Sequence, residues 1–192
     1  MNNQLKHVTT MEKKYRLLEN DTITVAVGTL YRIEALKDFV NVKKGDKGGY
    51  IESEKNLSQY GNCWVYGNAR VADNARVADN AWVAGYTRVY GDALVYGNAR
   101  VDGNAWVFGD ARIRDTADYY VGKNVWSSGR YFTYTRSNKM WKVGCFYGTG
   151  KELIEKAYKD CEVSGREYKR VVEYVEAMYA DLENDERQEA KK

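Results

Sequence analysis

From Val65 onward an aliphatic residue returns at every sixth position: Val65, Val71, Val77, Val83, Val89, Val95, Val101, Val107 and Ile113. Two places before each stands a small residue, namely Cys63, Ala69, Ala75, Ala81, Thr87, Ala93, Ala99, Ala105 and Ala111. Between these columns fall turn-forming pairs such as Gly67-Asn68, Asp73-Asn74, Gly91-Asp92 and Gly109-Asp110. Alternate residues of a strand face the same way, so the small and aliphatic positions point inward and their neighbours outward. Gly, Asn and Asp accept left-handed backbone angles and turn the corner. An α-helix would need apolar residues at i, i+3, i+4 and i+7, which a strict period of six does not supply. A low-complexity loop has no reason to keep these aliphatic positions in register. The pattern predicts short flat faces joined by corners, with stacked coils pairing their backbones: a β-helix.

The flanks read differently. Residues 15–36 have β character, with a hairpin turn near Val25-Ala26-Val27-Gly28. Ile51 and Leu57 begin the first coil, and a two-residue slip precedes Cys63. After Ala117 the period fails. Residues 131–136 and 140–146 alternate like strands, and two helices follow, each opened by a capping box: Thr149 with Glu152, and Ser164 with Glu167. The second helix carries Tyr168, Val171, Val175, Met178, Tyr179 and Leu182 at helical spacing. The expected divisions are a flexible leader at 1–12, an N-terminal β module at 13–50, the repeat β-helix at 51–118, a β-plus-helical cap at 119–184 and a tail at 185–192. A stacked rod has open ends that invite pairing with other chains, and the two flanking modules are the natural caps. The fold class is mainly β.

Composition narrows the chemistry. Among 192 residues, 44% are hydrophobic and the net charge is only +3, enough for a core but no pointer to a partner. Cys63, Cys145 and Cys161 are odd in number and form no Cys-x-x-Cys pair, which argues against a disulfide framework and for a reducing cytoplasm. Neither a long apolar run nor signal-peptide character is present, so no membrane association is expected. His7 is the only histidine and precedes the first apolar pattern. That removes a Ser-His-Asp arrangement and a histidine zinc site. Residues 148–152 superficially resemble a P-loop, but Cys145 stands where glycine is needed and Glu152 where Ser or Thr is needed. Asp110 and Asp115 form a carboxylate pair at turn positions, where acidic residues are expected for structural reasons. Neither a cofactor nor a metal is implied.

The Val-x-Gly-Asn-Ala-x hexad, as in Val65 to Arg70 and Val95 to Arg100, resembles the hexapeptide-repeat left-handed β-helix superfamily, the fold of many trimeric acyltransferases. The resemblance implies three hexads per coil, so that residues eighteen apart stack, a left hand, and a homotrimer. Those enzymes carry a histidine base at a coil junction; here no coil has one. The segments from Leu30 to Phe39 and Val42 to Ile51, and Val143 to Thr149 before the helices, resemble small hexapeptide-repeat proteins of phages and prophages. Similar proteins begin near Met11, which makes residues 1–10 an extended or alternative start.

Stacking every eighteen residues gives three outer faces. The first shows Trp64, Tyr66, Trp82 and Arg100; the second Arg70, Arg88, Tyr90, Trp106 and Phe108; the third Arg76, Leu94, Tyr96, Arg112 and Arg114. Trp, Tyr and Arg together are the usual interface residues, and arginine beside aromatics also suits phosphates and bases. Trp64, Tyr66 and Trp82 are the expected subunit interface, with arginines bridging corner aspartates. Arg88, Tyr90, Trp106, Arg112 and Arg114 are the expected ligand surface. The resulting expectation is a non-catalytic homotrimer in the cytoplasm of a bacterial host. It would sequester an anionic, nucleotide-like ligand or block a host defence protein. An acyltransferase-like enzyme without the histidine base, or a trimeric scaffold, are the rivals.

Overall fold

A computed structural model of the chain describes residues 12–191; the leader, His7 and the alternative start at Met11 lie outside the described residues. Strands β1 (Tyr15–Val25) and β2 (Gly28–Ala35) form an antiparallel hairpin, and β3 (Lys47–Ile51) pairs antiparallel with β2. Nine two-residue strands follow: β4 (Trp64–Val65), β5 (Arg70–Val71), β6 (Arg76–Val77), β7 (Trp82–Val83), β8 (Arg88–Val89), β9 (Leu94–Val95), β10 (Arg100–Val101), β11 (Trp106–Val107) and β12 (Arg112–Ile113). They stack in parallel as three faces, β4-β7-β10, β5-β8-β11 and β6-β9-β12. The chain is therefore a parallel β-solenoid, with Val71, Val89 and Val107 in one column and Val77, Val95 and Ile113 in another.

Both inward columns are buried, the small one from Cys63 to Ala111 and the aliphatic one from Val65 to Ile113. Thr87 is the polar member of the small column, and its hydroxyl has no hydrogen-bond partner among the described residues. The corners turn through positive φ, at Gly67, Gly85, Gly91, Gly97, Gly103 and Gly109 and also at Asp73 and Asp79, both at φ 56°. The two aspartates offset this left-handed strain through their carboxylates, which accept from the Gly91 and Gly97 N–H of the next coil at 3.1 and 3.0 Å. Asn62, Asn80 and Asn98 form an amide ladder at another corner. Corner aspartates thus bond to corners. Among the described residues none meets a coil arginine within 4.0 Å, which leaves the coil arginines out of ion pairs within the chain.

The two-residue slip is real: Ile51 pairs with Val71 and Leu57 with Val77, two residues beyond the eighteen-residue step kept above. The extra residues are absorbed near Gly61, where a Cβ would stand 2.3 Å from the Asp79 carbonyl. Here Lys14 closes the open end. It is fully buried, and its Nζ donates to the carbonyls of Cys63 (2.9 Å), Tyr60 (3.3 Å) and Gly61 (3.4 Å). Burial pushes its pKa down; the carbonyl acceptors hold the ammonium in place of water.

At the other end a four-stranded antiparallel sheet takes over: β13 (Tyr119–Lys123), β14 (Tyr131–Thr135), β15 (Met140–Val143) and β16 (Phe146–Gly148). Its side chains satisfy one exposed edge per face. Tyr119 Oη donates to the Arg100 carbonyl, Thr133 Oγ1 accepts from Trp106 N, and Ser137 Oγ accepts from Arg112 N. Each contact covers part of an open backbone edge, which would otherwise be a template for aggregation. The opposite side of the sheet, with Phe132, Tyr134 and Trp141, packs against α1 (Gly150–Asp160) and α2 (Glu162–Glu189).

Two expectations about the helices are corrected. The Thr149–Glu152 box caps α1 as read, but α2 starts at Glu162 with Cys161 as its cap, the sulfur accepting from Ser164 N. Ser164 and Glu167 lie inside the helix, and Glu167 pairs with Arg170. The expected tail at 185–192 is helical as far as Glu189, because Arg136 from the β14–β15 turn grips Glu186 with both guanidinium nitrogens.

Candidate ligand surface on the coil

The second face carries a column of cations and aromatic rings. Sheet pairing aligns Tyr50, Arg70, Arg88 and Trp106 from β3 through β5 and β8 to β11. Outward side chains stacked in parallel strands stand about 4.8 Å apart, close enough for direct contact. The Arg88 guanidinium lies 4.2 Å from the Trp106 ring centroid. Beside them runs Tyr90, half-buried, its phenol pushed up by burial while Arg70 and Arg88 oppose the shift.

The residue missed by sequence reading is Lys142 on β15. Its Nζ lies 5.3 Å from the Trp106 ring and 5.0 Å from the Phe108 ring, and Tyr147 packs edge-on against Phe108 at 5.1 Å. Partial burial lowers the Lys142 pKa. Only alternation along β15 hinted at it, and nothing local says that a cap strand folds down beside the coil.

Arg88, Tyr90 and Trp106 are therefore brought together, with Arg70 and Lys142 added. Arg112 and Arg114 stand on the third face, exposed, where β12 stacks on β9. Among the described residues, Arg70, Arg76, Arg88, Arg100, Arg112, Arg114 and Lys142 all lack a carboxylate within 4.0 Å. These side chains are held in no ion pair within the chain, and the corner aspartates of the coil balance its arginines only from a distance.

The first face departs from expectation at Trp64. It is 1% exposed, boxed by Phe39 at 5.3 Å and Tyr15 at 6.1 Å. The N-terminal hairpin and its following loop cover the bottom of this face, so Trp64 belongs to the core and offers nothing to a partner subunit. Tyr66 and Trp82 stay half-exposed, with ring centroids 5.1 Å apart, and Arg100 lies 4.9 Å from the Trp82 ring.

The carboxylate pair has structural duties. Asp110 accepts from Asn138 Nδ2, which lowers its pKa, and Asp115 accepts from Ala117 N. Among the described residues no cluster of three or more His, Cys, Asp or Glu is placed to hold a metal ion. No described helix is long and apolar enough to cross a membrane. All three cysteines are free, Cys63 buried and Cys145 and Cys161 exposed. Neither protein-family models nor curated proteins give a match to this chain.

Proposed function

We propose that the protein is a non-catalytic binding protein that holds a phosphate-bearing, nucleotide-like ligand along the second face of its coil. The observation that carries this reading is the cation column Arg70, Arg88 and Lys142, in no ion pair within the chain and flanked by Trp106, Tyr90 and Phe108. Keeping like charges together is unfavourable without an anion nearby. Because Arg88 and Lys142 both engage the Trp106 ring, the ligand meets the cations and their N–H donors first. Each charge-assisted contact contributes about 1.5–3 kcal/mol.

In this reading the solenoid is a left-handed hexapeptide-repeat helix of the phage-associated kind, working as a homotrimer in the cytoplasm of a bacterial host. Sequestering a signalling nucleotide, or blocking a host defence protein, is the biological effect. Tyr66, Trp82 and Arg100 form the subunit seam.

Calorimetry with a panel of mononucleotides, dinucleotides and cyclic nucleotides, run beside light scattering, tests the proposal. Wild type should bind at least one of them as a trimer, more weakly as salt rises. Arg88→Ala and Lys142→Ala should lose the ligand while keeping the trimer and its melting temperature. If Arg112→Ala also loses it, the ligand lies in a groove between subunits. Absence of binding to every anionic ligand, or a monomer at micromolar concentration, sinks the respective half of the reading.

A further inference from the structure

The loop between β13 and β14 holds a tryptophan in water. Trp126 is 80% exposed and its neighbour Val125 67%, and every residue from 125 to 130 is exposed. Such a run is a convex tip, not the wall of a groove. Nothing in the coil-face reading uses it.

Local hydrogen bonds fix the shape of this tip. Asn124 is buried, and its Oδ1 accepts from Trp126 N (3.0 Å) and Ser127 N (2.9 Å). Ser128 Oγ accepts from Arg130 N (3.3 Å) and from Tyr168 Oη (3.0 Å), which ties the loop to α2. Gly129 closes the turn at φ 64°. Asn124 Nδ2 stays buried without a partner among the described residues. An unpaired buried donor lowers stability, so the loop presents Trp126 at some cost to the fold.

Charge points to what covers the tip. Between Asp118 and Glu152 the chain has no acidic residue but six cations: Lys123, Arg130, Arg136, Lys139, Lys142 and Lys151. Arg136, Lys139 and Lys151 pair with glutamates of the two helices. Lys123 and Arg130, which flank the tip, meet no carboxylate within 4.0 Å among the described residues. Beside Arg130 a shallow hollow reaches Lys156 and Asp160 at the end of α1, one carboxylate against two cations. A second copy docked tip to tip would set like charge against like, whereas an anionic surface is complementary.

We infer that residues 123–130 anchor the protein to an anionic lipid bilayer, Trp126 and Val125 entering the headgroup layer and Lys123 and Arg130 meeting lipid phosphates. Tryptophan favours the membrane–water interface, where its ring leaves water and its indole N–H still finds an acceptor. A bilayer accepts a convex apolar tip, whereas a protein partner would need a cavity shaped to it. Cations at the base of the tip add attraction to an anionic leaflet. The loop enters the surface without crossing it, so the lack of a long apolar run does not bear on it. The anchor is independent of the coil face and stands or falls without it.

Sedimentation of the full chain with vesicles of mixed phosphatidylglycerol and phosphatidylcholine, beside vesicles of phosphatidylcholine alone, is the test. The protein should sediment with the anionic vesicles, far less with the neutral ones, and more weakly as salt rises. Trp126→Ala alters an exposed site and should fold. It should bind about tenfold more weakly, the factor expected when about a third of a tryptophan's surface leaves water. Lys123→Gln and Arg130→Gln should each lose about fivefold. Arg76→Gln makes the same charge change on β6, two coils below the cap, and should lose little. Brominated phosphatidylglycerol should quench a component of the tryptophan emission that Trp126→Phe lacks. No binding to anionic vesicles, equal binding by Trp126→Ala, or binding without that quenching overturns the inference. A molecular mass that falls in Trp126→Ala would assign the tip to a second copy instead. Binding of a single-stranded oligonucleotide that Trp126→Ala abolishes, without vesicle binding, would assign it to nucleic acid, and either result also overturns the inference.

Discussion

Replacing Thr87 by Val should make the protein more stable. Thr87 sits in the small inner column between Ala69 and Ala105, fully buried, its Oγ1 without a partner among the described residues. Valine has the same branched shape, so its rotamer and strand preference carry over and no cavity opens. Removing an unpaired buried hydroxyl recovers about 1–3 kcal/mol, and the methyl that replaces it adds up to about 0.8 kcal/mol of burial. A net gain of about 1–2 kcal/mol corresponds to roughly 2–8 °C for a chain of this size. Thr87→Ala also deletes the hydroxyl but gives up a methyl and leaves a void, so the expected order of stability is Val above Ala above Thr. Urea unfolding at one fixed protein concentration is the suitable assay, since self-association would make midpoints concentration-dependent; the slope should not change. A Thr87→Val midpoint below wild type would mean that the hydroxyl is paired, by a carbonyl or a buried water.

Two further outcomes follow from the same packing and charge pattern. Val89→Asp should yield no soluble folded protein, because a valine's burial is worth about 1.5–3 kcal/mol and an unpaired buried carboxylate costs more still, against about 5–15 kcal/mol for a whole domain. Its outward neighbour in Arg88→Asp should fold, and equal loss of soluble protein in both would refute the inside–outside assignment. Stability should be flat down to about pH 5 and fall below it. Glu186 and Glu152 are held below the usual 4.5, by Arg136 and by the Thr149 N–H respectively, so their contribution is present above 4.5 and lost as pH drops through the lower folded values. High salt and Arg136→Met should both shrink the acid-induced loss; an acid midpoint that rises instead would contradict the sign.

The coil was legible in the sequence because each of its positions answers a local question. Whether residue 89 points in depends on the corners at residues 85 and 91, both at positive φ, and on columns that repeat every coil. The same locality made the stacking of Arg88 beneath Trp106 predictable once residues eighteen apart were taken as neighbours. The α1 capping box could be read for a similar reason, since all its atoms lie within residues 149–152. At α2 the competing Cys161 cap is equally local, but sulfur is an uncommon cap and Ser164-x-x-Glu167 offered the commoner pattern.

What only the tertiary structure decided is where the two ends of the chain fold back onto the rod. Trp64 has the same repeat position as Trp82, yet one is core and the other half-exposed, because Tyr15 and Phe39 cover the first coil alone. Lys142 joins Arg88 across fifty-odd residues of chain through a ring on β11. Residues 185–189 look like a charged tail until Arg136 supplies a partner for Glu186. Lys14, a charged residue in a polar stretch, becomes the plug of an open end because the Tyr60–Cys63 carbonyls have no strand beneath them. A periodic sequence specifies its own interior, since every inward residue packs against copies of its own pattern. Its surface and ends are specified by non-repeating segments whose contacts are long-range, and those contacts leave no period to read.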